Sequence, residues 1–342
     1  MHSNRFVRRW RSVGVPAALL SAVVALAAWP AVSVGASPAP LRITGVVAQA
    51  TDPYFISMKC GALAAIKDMG GNVNLSWQGP VQPSVPQEIA ALGTVASTKP
   101  DGVILTPFSP TAFLNPVTSL MKQGIPVALT DSFLAKNAAY SEVYTDVTHS
   151  GPVLANRIAG LLHGKGKLAI IAFGAGDPYE TPRYSYMVKV LKAKYPNITV
   201  LPVQYAAADS NKAAQITSGL LAANPDLGAI YATDGPMGQG AAAAVRTAGK
   251  RGTVKVISFD AEPDLVRSLR DGSISAHYTQ APFIEGYTAM KSLITYLRGA
   301  GAAKKPVGQA HPYYTPAPLK FITKADLSNP QTNKYLYLAS CS

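Results

Sequence analysis

The 342-residue sequence predicts an α/β protein built from two doubly wound, parallel-sheet lobes. Three observations lead there. Short apolar runs alternate with longer amphipathic stretches, the pattern of successive β-α units joined by right-handed crossovers. That rhythm breaks between Ala138 and Asp146 and then resumes, which separates two such series. Hydrophobic residues make up 48% of the chain, enough for packed cores, and the length suits about two domains of ~150 residues each.

The first series opens with a strand over Ile43 to Ala48 that runs through Thr51-Asp52-Pro53-Tyr54-Phe55 into a helix expected over Tyr54 to Met69. Asp52 suits the N-cap, because its carboxylate accepts from the unpaired amides of the first turn, and Pro53 suits the first helical position because it has no N–H to lose. Asn72 to Trp77 reads as a strand and Val85 to Thr98 as a helix, linked by the loop Gly79-Pro80-Val81-Gln82-Pro83. Gly102 to Thr106 is a buried strand, Pro110 to Gln123 a helix, and Ile125 to Thr130 a strand ending at Asp131-Ser132.

The second series starts with a helix from His149 to His163, then a strand over Lys167 to Phe173, a helix over Thr181 to Tyr195 and a strand over Ile198 to Tyr205. It continues with helix Asn211 to Ala223, strand Leu227 to Ala232, helix Pro236 to Ala248, strand Val254 to Phe259, a helix across Asp264 to Arg270 and strand Ser275 to Thr279. Pro282 to Arg298 is a long helix, and Pro316 to Ile322 is expected as one late strand before a polar tail.

Arg5, Arg8, Arg9 and Arg11 precede an apolar run from Val13 to Trp29 and the small residues Val34-Gly35-Ala36, the three-part layout of a secretory signal peptide cleaved after Ala36. The run reaches the ~17-residue lower limit of a membrane span, but Pro16, Pro30 and the small residues favour processing over an uncleaved anchor. The surroundings of Arg8-Arg9 do not make a twin-arginine motif, and no cysteine follows the run to take a lipid. The mature chain is therefore expected to be soluble and extracytoplasmic. Cys60 and Cys341, the only cysteines, are compatible there with one disulfide between the first helix and the tail, a pairing whose geometry the sequence leaves open.

The formal charge of +13 falls to about +9 once the leader is removed, with the remaining basic residues scattered and not interleaved with aromatics. This argues against nucleic acid as a partner. There is no Gly-x-Ser-x-Gly elbow, Walker loop or His–Cys pairing, and His149, His163, His277 and His311 lack metal-ligand spacing, so no enzyme, cofactor or metal is expected. The catalytic rival is glycoside hydrolysis by Asp131 and Asp260, which needs one carboxyl with a raised pKa.

In open α/β sheets ligands sit beyond the carboxyl ends of the strands. The residues just past each strand are Asp52, Tyr54 and Phe55; Asp131; Arg183, beyond the loop 174–182; Asp209; Thr233 and Asp234; Asp260; and Gln280. Helix capping competes as the reason for Asp52, Asp209 and Asp260, and Asp234 beside Gly235-Pro236 reads as structural. Carboxylates, amides and one guanidinium fit adjacent hydroxyls, and rings fit the apolar face of a sugar.

In their order and spacing, Asp52-Pro53-Tyr54-Phe55, Thr130-Asp131-Ser132, Arg183, Asp209, Asn224-Pro225-Asp226, Ile230 to Asp234, Ser258-Phe259-Asp260 and Thr279-Gln280 resemble the periplasmic sugar-binding proteins of ABC importers, type I fold, in the ribose-binding subgroup. The resemblance implies three crossings between lobes, near Asp146, Gln280 and Tyr314. It gives a signal peptide over 1–36, an N-terminal lobe of 41–146 plus 281–313, a C-terminal lobe of 147–280 plus 314–330, and a tail over 331–342. It also implies ligand binding by Asp52, Tyr54, Phe55, Asp131, Arg183, Asp209, Thr233, Asp260 and Gln280, with a sugar or polyol captured by a monomer and passed to an ABC permease.

Ser132 stands where ribose binders carry Arg, Thr233 where they carry Asn, and Ala208 where they carry a ring, which argues against ribose itself. Gly79 to Val85 and Thr130-Asp131-Ser132 also resemble the autoinducer-2-binding relatives, so a furanose-like signal is the alternative ligand. A sensor component presenting its ligand to a receptor is a further alternative. A transcription regulator with this core needs a helix-turn-helix where the leader stands.

Overall fold

The computed structural model describes residues 39–145, 147–299 and 314–341. The expected signal peptide and its cleavage site, and Asp146 at the first expected crossing, lie outside the described residues.

The chain begins with β1 (Leu41–Val46), α1 (Pro53–Asp68), β2 (Val73–Gln78), α2 (Val85–Thr98), β3 (Gly102–Leu105), α3 (Leu114–Lys122), β4 (Val127–Thr130) and β5 (Ser141–Tyr144). It continues through α4 (Val147–Leu161), β6 (Gly166–Ala172), α5 (Thr181–Lys194), β7 (Ile198–Val200), β8 (Gln204–Tyr205), α6 (Ser210–Ala223), β9 (Leu227–Ala232) and α7 (Gly235–Thr247). Last come β10 (Lys255–Phe259), α8 (Pro263–Arg270), β11 (Ala276–Thr279), α9 (Pro282–Leu297), β12 (Tyr314–Pro316), β13 (Lys320–Thr323) and two 3₁₀ turns, Lys324–Ser328 and Pro330–Tyr335.

The first sheet has the order β12-β5-β4-β3-β1-β2, every neighbouring pair parallel. The second has the order β13-β11-β10-β9-β6-β7, with β8 also beside β6 and only β13 antiparallel. Central strands such as Val127-Ala128-Leu129 and Val256-Ile257 are buried on both faces, as helices on both sides of a sheet require. Each Val, Leu or Ile so buried contributes about 1.5–3 kcal/mol. Separate apolar clusters fill the two faces of each sheet, and a smaller one, Tyr54, Met58, Ala261, Val266 and Tyr337, joins the lobes.

The chain leaves the first sheet after β5, returns to it after β11 and leaves again between β12 and β13. Two expectations need correcting. The single late strand over Pro316 to Ile322 is two strands on different sheets, because Pro316 and Pro318 lack the N–H that a continuing ladder uses. Tyr314–Pro316 consequently belongs with the first sheet, not with the C-terminal lobe to which 314–330 was assigned, and the third crossing follows Pro316. The expected break around Ala138 to Asp146 contains β5, whose single apolar core residue, Val143, is too weak a signal alone. Pro202 divides the strand expected over Ile198 to Tyr205, and α3 starts at Leu114, after a turn in which the Ser109 hydroxyl accepts from the Ala112 N–H.

Helix α9 returns from the second lobe to lie on α1 in the first. A Cβ on Gly61 would come within 1.9 Å of the Phe283 carbonyl oxygen, and one on Gly286 within 1.9 Å of the Met58 carbonyl oxygen. The two helices are in backbone contact that only glycine permits.

Candidate functional site

The strands β4 and β10 hold corresponding places in the two sheets, and each ends on an aspartate with left-handed backbone, Asp131 at φ 60° and Asp260 at φ 70°. Aspartate tolerates this region better than most residues, and such conformations concentrate at functional sites. Each N–H still donates to the neighbouring strand, Asp131 to the Val143 carbonyl at 3.0 Å and Asp260 to that of Tyr278 at 3.3 Å.

On the first lobe, Asp52 caps α1 by accepting from the Tyr54 N–H at 2.7 Å, so the predicted cap is formed. Burial, then the nearby Asp131, pushes the Asp52 pKa up against that hydrogen bond. Asp131 Oδ1 accepts from the Tyr54 hydroxyl at 2.8 Å and from Gln280 Nε2 at 3.0 Å. Tyr54 also lies 3.0 Å from Glu285 Oε2, and a phenol has one proton to give. Burial, reinforced by Asp131, pushes the Glu285 pKa well above the usual carboxyl range. The Tyr54 hydroxyl is thus shared between Asp131 Oδ1 and Glu285 Oε2. Thr145 donates to Glu285 Oε1 at 3.2 Å and completes the network.

On the second lobe, Arg183 donates from Nη1 to the Thr233 carbonyl at 2.8 Å and lies 4.2 Å over the Phe259 ring. Its Nη1 is 3.8 Å from Glu180 and 3.9 Å from Asp260, ionic distances too long for hydrogen bonds. Burial works against the Arg183 charge, but those two carboxylates hold the guanidinium protonated. Burial likewise raises Glu180 and Asp260 to about 6, with Arg183 opposing in both cases. The Thr233 hydroxyl donates to Glu180 Oε2 at 2.5 Å, and the Tyr337 hydroxyl to Asp260 Oδ1 at 2.8 Å. Glu262 is raised well above the usual range by burial, then by Asp260 and by Asp52 from the other lobe.

Among the described residues, two of the contacts between the lobes flank these groups. Tyr54 meets Tyr337 edge to face at 5.3 Å. On the other rim the Tyr179 hydroxyl donates to the Pro107 carbonyl at 3.2 Å, and its ring packs on Phe133 at 5.7 Å. Between these contacts lie Asp52, Asp131 and Gln280, facing Glu180, Arg183, Asp260 and Glu262. A guanidinium and several carboxylates gathered from both lobes are groups that suit a guest with several hydroxyls.

Asp52, Tyr54, Asp131, Arg183, Thr233, Asp260 and Gln280 are thus brought together, with Phe55 beside Tyr54 at 5.2 Å between rings. Asp209 is not. It is the exposed N-cap of α6, accepting from the N–H groups of Asn211 and Lys212, after Ala207 and Ala208 turn the chain through left-handed conformations. Asp234 caps α7 through the Met237 N–H, the structural role expected of it, whereas Glu262 and not Asp260 occupies the cap position of α8. Glu180, Glu262, Glu285, Tyr179 and Tyr337 stand in contact with or beside these groups and are invisible as strand-end residues. Tyr337 alone had a pointer, since a Cys60–Cys341 bond draws the tail past α1.

Residues 43–301 match the family model of the periplasmic binding protein domain. The chain belongs to that family. It is 29% identical over 265 residues to the ribose import binding protein of Escherichia coli K12, covering 77% of this chain and 87% of that one. The D-allose-binding periplasmic protein of the same organism is 26% identical, covering 71% of this chain and 80% of its own. Among solved structures, an ABC transporter solute-binding protein from Agrobacterium vitis bound with α-D-tagatopyranose aligns with a TM-score of 0.76 at 27% identity, over 87% of this chain and 99% of that one. An arabinose-binding protein from Geobacillus stearothermophilus aligns equally well, with a TM-score of 0.76 at 27% identity over 84% and 98%. The two-lobed α/β architecture is that of this periplasmic binding protein family, whose members bind solutes and are not enzymes.

Proposed function

We propose that this periplasmic binding protein captures a sugar or polyol between its lobes outside the cytoplasm and hands it to the permease of an ABC importer. One observation carries the reading: Asp131 and Asp260, from opposite lobes, lie close enough for Asp131 to repel the Asp260 charge, each accepts from a tyrosine, and Arg183 and Gln280 stand beside them. A guest that accepts from Arg183 and Gln280 while donating to both aspartates favours the closed form, because it touches both lobes only there. Asp52, Tyr54, Phe55 and Thr233 complete the proposed set, and Asp209 is left out. The lobes are 41–145 with α9 and β12, and α4 to β11 with β13. The relatives' names point to pentoses and hexoses, and Ser132 in place of an arginine points away from ribose. Export by a cleaved leader and action as a monomer follow the same reading, and among the described residues no helix is long and apolar enough to cross a membrane.

A thermal-shift screen of mature protein against pentoses, hexoses, tetritols and pentitols tests this, since a ligand at ~100 times its Kd adds about 2.7 kcal/mol to the native state. No shift with any of them would sink the proposal. A shift only with furanose-like signalling compounds would favour the autoinducer-2-type reading.

A further inference from the structure

The C-terminal segment forms a fourth link between the lobes, beyond the three chain crossings. Its start is fixed to the second lobe: the Thr279 hydroxyl donates to the Tyr335 carbonyl at 3.2 Å, Lys320 Nζ to the Thr332 hydroxyl at 3.0 Å, and the Tyr337 N–H to the Ala261 carbonyl at 3.0 Å. Its end is fixed to the first lobe: the Leu338 N–H donates to the Ser57 hydroxyl at 2.6 Å, and Cys341 is disulfide-bonded to Cys60 on α1. Tyr337 is the last residue held by the second lobe, 4% exposed, with its ring on Tyr54 and its hydroxyl on Asp260.

From this we infer that Tyr337 is a positioning residue of the binding site, delivered by a disulfide-anchored strap, and that the Cys60–Cys341 bond sustains ligand affinity by keeping it there. The inference rests on the reading of Asp260 as a ligand contact. Asp260 and Arg183 lie 3.9 Å apart, although a carboxylate and a guanidinium otherwise close into a two-pronged pair. The Tyr337 hydroxyl occupies Oδ1 and keeps the carboxylate turned, so that Oδ2 and the guanidinium stay available to hydroxyls of a guest. Without that donor the two charges satisfy each other, and a guest must break them apart to bind. A reducing environment would release Cys341 and weaken binding by the same route.

Two measurements test this. Hydrogen exchange on the ligand-free protein compares the oxidised wild type, the Cys60→Ser/Cys341→Ser double variant and Tyr337→Phe. Faster exchange in the double variant at both 54–58 and 259–262, and in Tyr337→Phe at 259–262 alone, is expected. Acceleration confined to α1 in the double variant, with Tyr337→Phe unchanged, would overturn the proposal. The second measurement is calorimetric titration with D-allose, D-arabinose, D-tagatose, D-fucose, D-ribose and xylitol. For whichever binds the wild type, Tyr337→Phe is expected to weaken binding at least tenfold. That loss should shrink to under threefold in an Asp260→Asn background, which a merely structural role would not produce. Unchanged affinity in Tyr337→Phe would refute the inference while leaving the sugar-binding reading intact. If none of the six binds the wild type, the compound that raises its melting temperature in the thermal-shift screen takes their place; if none does, the sugar-binding reading fails and the exchange result alone decides the role of the strap.

Discussion

Asp131 and Asp260 are joined across the cleft by two tyrosines: Tyr54 donates to the first, Tyr337 to the second, and their rings meet edge to face at 5.3 Å. Both aspartates have left-handed backbone, which asparagine adopts as readily and alanine does not. Asparagine therefore removes the charge without adding strain. Asp131→Asn and Asp260→Asn are each expected to weaken sugar binding by a hundredfold or more while shifting the melting temperature by only a few degrees. Calorimetry beside a melting curve checks this, and wild-type affinity in both variants would remove the aspartates from the site.

Arg183 uses its planar group three ways, donating to the Thr233 carbonyl, covering the Phe259 ring and standing between two carboxylates. Lysine keeps the charge but not the fork or the stacking face. Arg183→Lys should lose at least tenfold in affinity and Arg183→Ala all measurable binding, as read by the same titration.

Closure should depend on pH. With the lobes together, burial holds Asp260 and Glu180 near 6, and Asp52 and Asp131 on the opposite lobe add repulsion to Asp260. Opening lets water return and moves both groups toward the ordinary carboxyl range. The closed form thus binds more protons between about pH 4 and 6, and closure is favoured below that window and weakened as pH rises through 6. Small-angle scattering of the ligand-free protein should give a larger radius of gyration at pH 8 than at pH 5. An identical radius at both would count against the coupling.

Glu88 makes a separate pH prediction, for stability. It is fully buried in α2, accepts from the Phe108 N–H at 3.2 Å through Oε2, and among the described residues has no hydrogen-bond partner at Oε1. Burial raises its pKa to about 8, against that hydrogen bond. The unfolded chain loses this proton above about pH 4.5 and the folded chain keeps it to about 8, so its contribution is full below 4.5 and lost as pH climbs through 8. At roughly 1.4 kcal/mol per pKa unit, the loss amounts to a few kcal/mol. Glu88→Gln should melt higher than wild type at pH 8.5 and close to it at pH 5. Parallel pH profiles for the two proteins would contradict this.

Packing between α1 and α9 offers a test free of charge. Gly61→Ala or Gly286→Ala places a methyl against a carbonyl oxygen that belongs to a helix backbone and cannot swing aside. Overpacking of this kind costs about 1–3 kcal/mol. Each variant should show a denaturation midpoint lowered accordingly, and a midpoint equal to wild type would mean the helices separate at little cost.

The β-α rhythm was legible because buried parallel strands are short apolar runs, and the helix expected over Val85 to Thr98 coincides with α2, where the structure shows Ser84 as N-cap and Pro86 in the first turn. The same rule that places ligands beyond strand ends singled out Asp131, Arg183, Asp260 and Gln280, side chains that the fold brings close together. It also proposed Asp209, where two left-handed alanines carry the chain away from the cleft, a turn that alanine does not advertise. Glu285 escaped because it lies inside α9 and reaches Tyr54 across 231 residues of sequence. Tyr337 escaped because a polar tail looks unstructured until Cys341 ties it down. Short strands on either side of Pro316 were merged because edge strands carry little apolar signal.

The contact from Tyr179 to the Pro107 carbonyl bridges the rim next to Phe108, a ring left 39% exposed. With both native cysteines committed to each other, Phe108→Cys would offer the single thiol for attaching an environment-sensitive dye. Whatever the guest proves to be, its arrival would then be readable as a change in emission, making the protein an optical reporter for it.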